Sequence, residues 1–527
     1  MKVMITDPIA QDGVKIFREA GLEVEERLGL TPDELLDAIK DVDALVIRSN
    51  TKVTQAVVEA ARNLKVVGRA GTGLDNVDIP ACNKRGIVVM NTPGGNTNSA
   101  AEHTIAMIMA ISRKIPQATM SMKAGKWEKK KFQGQEVAGR TLGIIGSGRI
   151  GTIVCQCAQG LKMKTIAYDP YARPEVMEKY GIELLSDLDQ LLSRADYISV
   201  HTPLTRETKG MLNADLFNKM KDGAIVLNCA RGGIVNEKDL YDALTSGKLG
   251  GAALDVFENE PTTIEHPLLA LDNFICTPHL GASTREAQEN VAVAVSRQIS
   301  DYLLSGEVRN AVNVPSVSGE ALAQLEPVLN LAGQLGAFHA CLAESAIEEV
   351  AIAYQGDLSS IDTAPVTISI LKNLLSPVLK EDVNFVNAPV LAEERGIKVV
   401  ESKSKTSDNF INLLEVKVRT VAGTNTLAGT IFGKKEPRIV RLNDFRLEAV
   451  PEGHILLIYN EDKPGVIGRI GVTIGEAGLN ISRMQVGLDA ENKGNIVVLT
   501  LDSRPDEEVF EKLLAQEGVN NVKFIDL

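Results

Sequence analysis

The stretch Leu142–Gly151, LGIIGSGRIG, is a short apolar run that breaks into three spaced glycines and then into a helical pattern from Thr152 to Leu161. That order is strand, tight turn, helix. Gly146 permits the sharp turn, Gly148 lets the backbone approach a pyrophosphate, and Gly151 lets the helix pack close to the strand. The helix N-terminus, with unpaired N–H groups and a positive dipole end, then faces the phosphates. A second strand, Lys164–Tyr168, delivers Asp169 about 20 residues into the unit, where a carboxylate bonds the ribose hydroxyls of NAD and repels the extra phosphate of NADP. The competing reading is an ordinary β-α-β turn in which Asp169 merely starts the Asp169-Pro170 turn.

At 527 residues the chain is too long for one core, and three or four domains are expected. A formal net charge of −13 argues against a general nucleic-acid binder, while leaving room for a locally basic pocket. The N-terminus MKVMITDPIA has no apolar signal region, and no run reaches the length of a membrane span, so a cytoplasmic protein is expected. Six scattered cysteines show no Cys/His metal spacing, which predicts reduced thiols and no structural metal.

From the N-terminus, short β runs alternate with helical stretches, the pattern of a parallel sheet covered on both faces. Ala44–Ile47 ends in Arg48 and Ser49, and Leu64–Gly68 ends in Arg69-Ala70-Gly71-Thr72-Gly73-Leu74-Asp75-Asn76. A Gly-Thr-Gly turn exposes successive N–H groups, which suits a carboxylate or phosphate, although a plain turn reads equally well. A long apolar helix, Ser99–Ser112, follows, with Glu102 and His103 read as structural. Trp127 stands among Lys126, Lys129, Lys130 and Lys131, a solvated face from which a lysine can reach an anion.

Four further strands end in polar residues: at His201-Thr202, at Asn228-Cys229-Ala230-Arg231, at Asp255 through Glu260, and at Thr277-Pro278-His279-Leu280-Gly281-Ala282. Ligands collect at such ends in open α/β sheets. A helix, Ser283–Ser305, closes this part. From His454 the order β-α-β-β-α-β predicts a small split β-α-β domain.

Oxidation of a secondary alcohol needs a base, a fixed cation that polarises the developing carbonyl, and exclusion of water. His279 suits the base, Glu260 the carboxylate that orients it, and Arg231 the cation. Each alone has a plainer reading as a loop acid, a turn residue or a surface charge. His201 follows a strand near the expected cofactor or simply caps a turn, and His266, His339 and His454 have no partner that the sequence reveals.

Together the glycine loop with Asp169, Asn228–Gly233, Val256–Pro261 and Thr277–Ala282 resemble the D-isomer-specific 2-hydroxyacid dehydrogenases over residues 1 to 310. Arg48-Ser49, Gly71–Asn76 and the C-terminal extension narrow the likeness to the long-form branch that acts on 3-phospho-D-glycerate, over essentially the whole chain. That resemblance implies an α/β fold: a Rossmann-type NAD domain, a flavodoxin-like discontinuous substrate domain, an α+β intervening domain and a ferredoxin-like ACT domain. The implied boundaries are 1–94 and 283–312 for the substrate domain, 95–282 for the NAD domain, 313–450 for the intervening domain and 451–527 for the ACT domain.

The activity implied is NAD-dependent oxidation of 3-phosphoglycerate to 3-phosphooxypyruvate, with Arg231, Glu260 and His279 catalytic. By the same resemblance Thr72, Gly146, Gly148, Arg149, Ile150, Gly151, Asp169, Thr202, Cys229, Ala230, Arg231, Asp255, His279, Leu280, Gly281 and Ala282 contact NAD. Arg48, Ser49, Gly71, Thr72, Gly73 and Arg231 hold the substrate, helped by a lysine near Trp127. Asn460, Asp462 and Asn480 match the effector positions of ACT domains, which implies L-serine as effector; some relatives carry a histidine where this chain has Asn460. A homotetramer is implied by analogy. The rivals are another D-2-hydroxyacid dehydrogenase and a dinucleotide-sensing co-repressor of the same fold.

Overall fold

The computed structural model describes residues 1–315, 319–379, 383–407, 409–433, 435–489 and 494–527. Strands such as KVMI and ALVI are covered on both faces, so they read as continuous apolar runs instead of alternating ones. The first five, β1 (Lys2–Ile5), β2 (Glu23–Glu26), β3 (Ala44–Ile47), β4 (Val66–Arg69) and β5 (Val88–Met90), pair in parallel in the order β2-β1-β3-β4-β5. That is the flavodoxin-like order.

A second parallel sheet holds β6 (Thr141–Ile145), β7 (Lys164–Tyr168), β8 (Glu183–Leu185), β9 (Tyr197–Val200), β10 (Ala224–Asn228), β11 (Leu249–Leu254) and β12 (Phe274–Cys276). Its order, β12-β11-β10-β9-β6-β7-β8, is the Rossmann order extended by one strand. The strand order reverses between β6 and β9, so the crevice for a dinucleotide opens beside the glycine turn. Leu142 and Ile144 bury into the core on one face and Ile145 into the core on the other.

Residues 285–305 return to the first sheet. Thr284 caps the helix Arg285–Ser305 by accepting from the Ala287 N–H at 3.2 Å, which starts it two residues later than the sequence pattern suggests. Val291, Val295 and Ile299 bury in one core with Val3, Val46 and Val66. Gly68 on β4 leaves the room that Val295 and Ile299 fill. The first unit is therefore built from two separated stretches of chain, as expected.

The remaining strands form one sheet: β13 (Ile347–Gly356), β14 (Lys398–Ser404), β15 (Asn412–Thr420), β16 (Gly423–Phe432), β17 (Glu436–Leu442), β18 (Phe445–Ala449), β19 (His454–Asn460), β20 (Ile481–Asp489), β21 (Asn495–Leu501) and β22 (Val519–Asp526). The order is β14-β13-β15-β16-β17-β18-β20-β21-β19-β22. Its last four strands, with helices Val466–Glu476 and Glu507–Leu514, have the expected ferredoxin-like arrangement. Pairing of Phe445 and Arg446 with Asp489 and Leu488 carries the sheet straight through residue 450. None of the described helices is long and apolar enough to cross a membrane.

Ile299 is fully buried where the returning helix meets β4. Ile299→Ala is expected to cost about 2–5 kcal/mol, read as a lower urea midpoint.

Candidate active site

The glycine turn after β6 has the geometry that each glycine was read for. Gly146 has φ 93°, and a Cβ there would lie 2.9 Å from the His201 carbonyl and the Thr202 methyl. At Gly151 a Cβ would run into the Gly146 carbonyl, so only glycine lets the helix sit this close. Around Gly148 the space is open. The helix Arg149–Gly160 starts three residues before the apolar pattern does, because Gly148 caps it through its backbone alone and leaves the N–H groups of the first turn for a ligand. Asp169 accepts the Ser147 N–H at 2.9 Å on one oxygen and the Tyr171 N–H at 2.9 Å on the other. Asp169 therefore starts the turn and at the same time braces the glycine loop. The residues fit a dinucleotide.

Beyond β3, β4 and β10 a set of cations converges. Arg231 reaches from the second sheet to the first, donating from Nε to Asp75 at 2.9 Å and from Nη1 to the Ala230 carbonyl at 2.7 Å. A Cβ on Gly73 would collide with this guanidinium, so the glycine exists to let Arg231 pass. Asn228 shapes the loop from within, accepting the Ala230 N–H and donating to the Arg231 carbonyl. Arg48 is held by Asp7, a buried carboxylate that accepts the Arg48 N–H at 2.6 Å and the Thr51 N–H at 3.1 Å.

Arg69 was quoted in the sequence but given no role. Burial, then the like charges of Arg231 and Arg48, push its guanidinium down to about 10, which still leaves it charged at neutral pH. Its Nε is buried and has no hydrogen-bond partner among the described residues. A half-buried cation whose buried Nε lacks a partner calls for an anion. The available signal was a charge at a strand end directly before a glycine turn.

The His279 loop hangs on Asp255. The two Asp255 oxygens accept the Thr277 hydroxyl at 2.6 Å, the Leu280 N–H at 2.7 Å and the Gly281 N–H at 2.8 Å. His103, read from sequence as structural, adds its Nε2 at 3.2 Å. Ser99 donates to the Gly281 carbonyl, tying the loop to the long helix Thr97–Arg113. Held this way, His279 takes φ 54°, a left-handed conformation uncommon outside glycine. Its Nδ1 lies 2.7 Å from Glu260 Oε2, while Glu260 Oε1 accepts the Phe257 N–H at 3.0 Å. Burial works to raise the Glu260 pKa, but the bonds from His279 and Phe257 outweigh it and hold the carboxyl below its ordinary value. An ionised carboxylate only accepts, so His279 Nδ1 carries the hydrogen and Nε2 is left as the base.

The other sequence candidates are spread more widely. Thr72 donates to Asn96, and Gly71 turns tightly beneath Arg69. Thr202 flanks the glycine turn, and Ser49 is exposed beside Arg48. Burial pushes the Cys229 thiol up to about 12, so it contributes shape and not reactivity. His201 is likewise held neutral by burial, its pKa pushed down to about 4, and bonds Ser199. Trp127 is 80% exposed, and no hydrogen bond or ion pair among the described residues joins the neighbouring lysines to the site. The effector candidates are split: Asn460 and Asp462 lie at the Asn495 end of β21, whereas Asn480 pairs with Asp502 beyond its other end.

Burial works to raise the Asp255 pKa, and the bonds from His103, Thr277 and Leu280 more than offset it, so the folded value lies below the ordinary 3.8. Such a carboxyl stabilises the fold above its unfolded pKa and loses that contribution as pH falls through the folded one. Asp255→Ala is expected to cost about 3–5 kcal/mol in denaturant unfolding at neutral pH. The gap to wild type should narrow as pH drops below 3.8.

Comparison with known proteins identifies the family. The NAD-binding domain of the D-isomer specific 2-hydroxyacid dehydrogenases matches residues 105–281, the D-3-phosphoglycerate dehydrogenase intervening domain residues 324–443, and the ACT domain residues 454–518. The chain is 44% identical to D-3-phosphoglycerate dehydrogenase of Archaeoglobus fulgidus and 43% identical to that of Methanocaldococcus jannaschii, covering 100% of both chains in each case. Among solved structures, NAD-bound 3-phosphoglycerate dehydrogenase of Entamoeba histolytica is 33% identical with a TM-score of 0.52, covering 59% of this chain and 98% of that one. D-Lactate dehydrogenase of Escherichia coli is 29% identical with a TM-score of 0.53, covering 59% of this chain and 100% of that one. The chain belongs to the D-isomer specific 2-hydroxyacid dehydrogenases and, within them, to the D-3-phosphoglycerate dehydrogenases that carry an intervening and an ACT domain.

Proposed function

We propose that this chain catalyses NAD-dependent oxidation of 3-phospho-D-glycerate to 3-phosphooxypyruvate, the first step of L-serine biosynthesis, in the cytoplasm. The observation that carries the substrate assignment is the group Arg48, Arg69 and Arg231, with Arg69 half-buried and its buried Nε without a partner among the described residues. Three cations at one crevice exceed what a single carboxylate needs and suit a carboxylate and a phosphate together.

In this reading Gly146, Gly148, Arg149, Ile150 and Gly151 hold the pyrophosphate and Asp169 the ribose. Thr72, Thr202, Cys229, Ala230, Asp255 and His279–Ala282 line the rest of the cofactor crevice. When bound, NAD accepts the hydride from the carbon that carries the substrate hydroxyl. Arg231 and the Gly71-Thr72-Gly73 N–H groups grip the substrate carboxylate, and Arg231 stabilises charge developing on the carbonyl. Arg48, Ser49 and Arg69 face the phosphate. His279 Nε2 takes the hydroxyl proton, and ionised Glu260 supports the imidazolium that results.

The division into 1–94 with 283–312, 95–282, 313–450 and 451–527 follows as part of the proposal, with closure of the substrate domain over the cofactor domain. L-Serine is the proposed effector. Asn460 and Asn495 each keep a buried amide oxygen without a partner among the described residues, which supports a polar pocket there. Asn480 lies about 20 Å away along β21 at strand spacing, so one serine touching Asn460, Asp462 and Asn480 needs a second copy of the chain. That requirement agrees with the proposed homotetramer.

The test is NADH formation by purified protein with 3-phosphoglycerate, D-glycerate and D-lactate, with and without L-serine. A marked preference for the phosphorylated acid is expected, with Arg231→Ala and His279→Ala losing at least about a hundredfold in kcat. Arg69→Met should cost at least about tenfold in kcat/KM for the phosphorylated acid and leave D-glycerate oxidation little changed. Serine should suppress turnover, and Asp462→Ala should abolish that suppression. Binding of NAD with no oxidation of any of the three acids would sink the assignment.

A further inference from the structure

We infer that Glu237, with His266 as its partner, is a positioning residue for the Glu260–His279 pair. The inference rests on the roles proposed above for Glu260 and His279. Glu260 sits in the long connection between β11 and β12, and a loop of that length does not by itself hold a carboxylate within 2.7 Å of an imidazole. Inside the loop there is one contact that orients it, the Phe257 N–H on Glu260 Oε1. The rest of the restraint comes from outside.

Glu237 opens the helix Glu237–Thr245, which follows the Arg231 loop. Its two oxygens accept from two points on the Glu260 loop: the Glu258 N–H at 2.6 Å on Oε1 and His266 Nε2 at 2.9 Å on Oε2. Glu258 lies just before Glu260 and His266 lies after it, so one carboxylate pins both arms of the loop. At the start of a helix a carboxylate is in the place that favours its charge. Its side chain is 14% exposed and that of His266 18%, which keeps water from competing for the bonds.

The His266 ring completes the clamp. It meets Phe257 edge-on with centroids 5.5 Å apart, and Phe257 in turn packs edge-on against Phe274 of β12. His266 Nδ1 is buried with no partner among the described residues. The ring therefore uses one nitrogen, and that nitrogen serves Glu237. On the other side the Arg231 loop presses against the same backbone: a Cβ on Gly232 would run into the Phe257 carbonyl. Glu237 thus stands between the loop that carries the cation and the loop that carries the base's carboxylate. Displacing it should let Glu260 swing from His279 without touching substrate or cofactor directly.

The experiment is a double-mutant cycle on the full chain, measured as NADH formation with 3-phosphoglycerate. Glu237→Ala in the otherwise native enzyme is expected to lower kcat about tenfold or more, with KM for NAD within about twofold. In a Glu260→Gln background the same change should cost less than about twofold, because the contact through which Glu237 acts is already gone. His266→Leu should reproduce the loss, and His266→Gln, which keeps an N–H for Glu237, should restore most of it. In ¹⁵N-histidine spectra the low-field His279 Nδ1–H signal should disappear in both Glu237→Ala and Glu260→Gln. Thermal melts establish that each variant folds; if Glu237→Ala does not, His266→Leu carries the same cycle. Equal losses in both backgrounds, or an unchanged His279 signal in the folded variant, would overturn the inference. Native turnover in Glu260→Gln alone would overturn instead the reading on which it rests.

Discussion

Arg231, carried by one parallel sheet, lies over Gly73, carried by another. Everything the site does depends on the carboxyl ends of two sheets facing each other across that contact. The ion pair with Asp75 spans 156 residues of sequence and links the two loops directly. It is half open to water, so its worth lies in orientation more than in energy. Arg69 behind it is different, half-buried and charged, with a buried Nε that has no partner among the described residues. A cation in that condition is relieved by an anion.

Carboxylates that accept backbone N–H groups set the loops on both sides of this crevice. Asp7 holds the Arg48 loop, Asp169 the glycine turn, Asp255 the His279 loop and Glu237 the Glu260 loop. The device is the same each time. One carboxylate accepts two or more donors and fixes a backbone that no regular element constrains. Sequence reading singled out Asp169 and Asp255 because they follow strands at recognisable spacing. It passed over Asp7 and Glu237, whose partners lie across the fold.

The C-terminal half connects to the catalytic half through the first sheet. Asn384 donates to the Gly86 carbonyl, Lys84 pairs with Glu394, and Val386 buries in the core shared by β1, β3, β4 and the helix Arg285–Ser305. The ten-stranded sheet runs from the intervening strands to the ACT strands through the pairing of β18 with β20.

Local chemistry was legible in the sequence. The glycine spacing, the acid after the second strand, the polar strand ends with Arg231, Glu260 and His279, and the β-α-β-β-α-β order of the last domain all follow from short-range pattern, since turn geometry and periodicity are written within a few residues. Element ends moved by two or three residues where a cap, Gly148 or Thr284, overrode the apolar pattern. What only the tertiary structure decided is everything that depends on separate strand ends meeting: Arg69 joining Arg48 and Arg231, His103 joining Asp255, Glu237 joining His266, and Asn480 standing apart from Asn460. Those relations are set by sheet order and by the return of residues 285–305 to the first sheet, and no local window of sequence contains both partners.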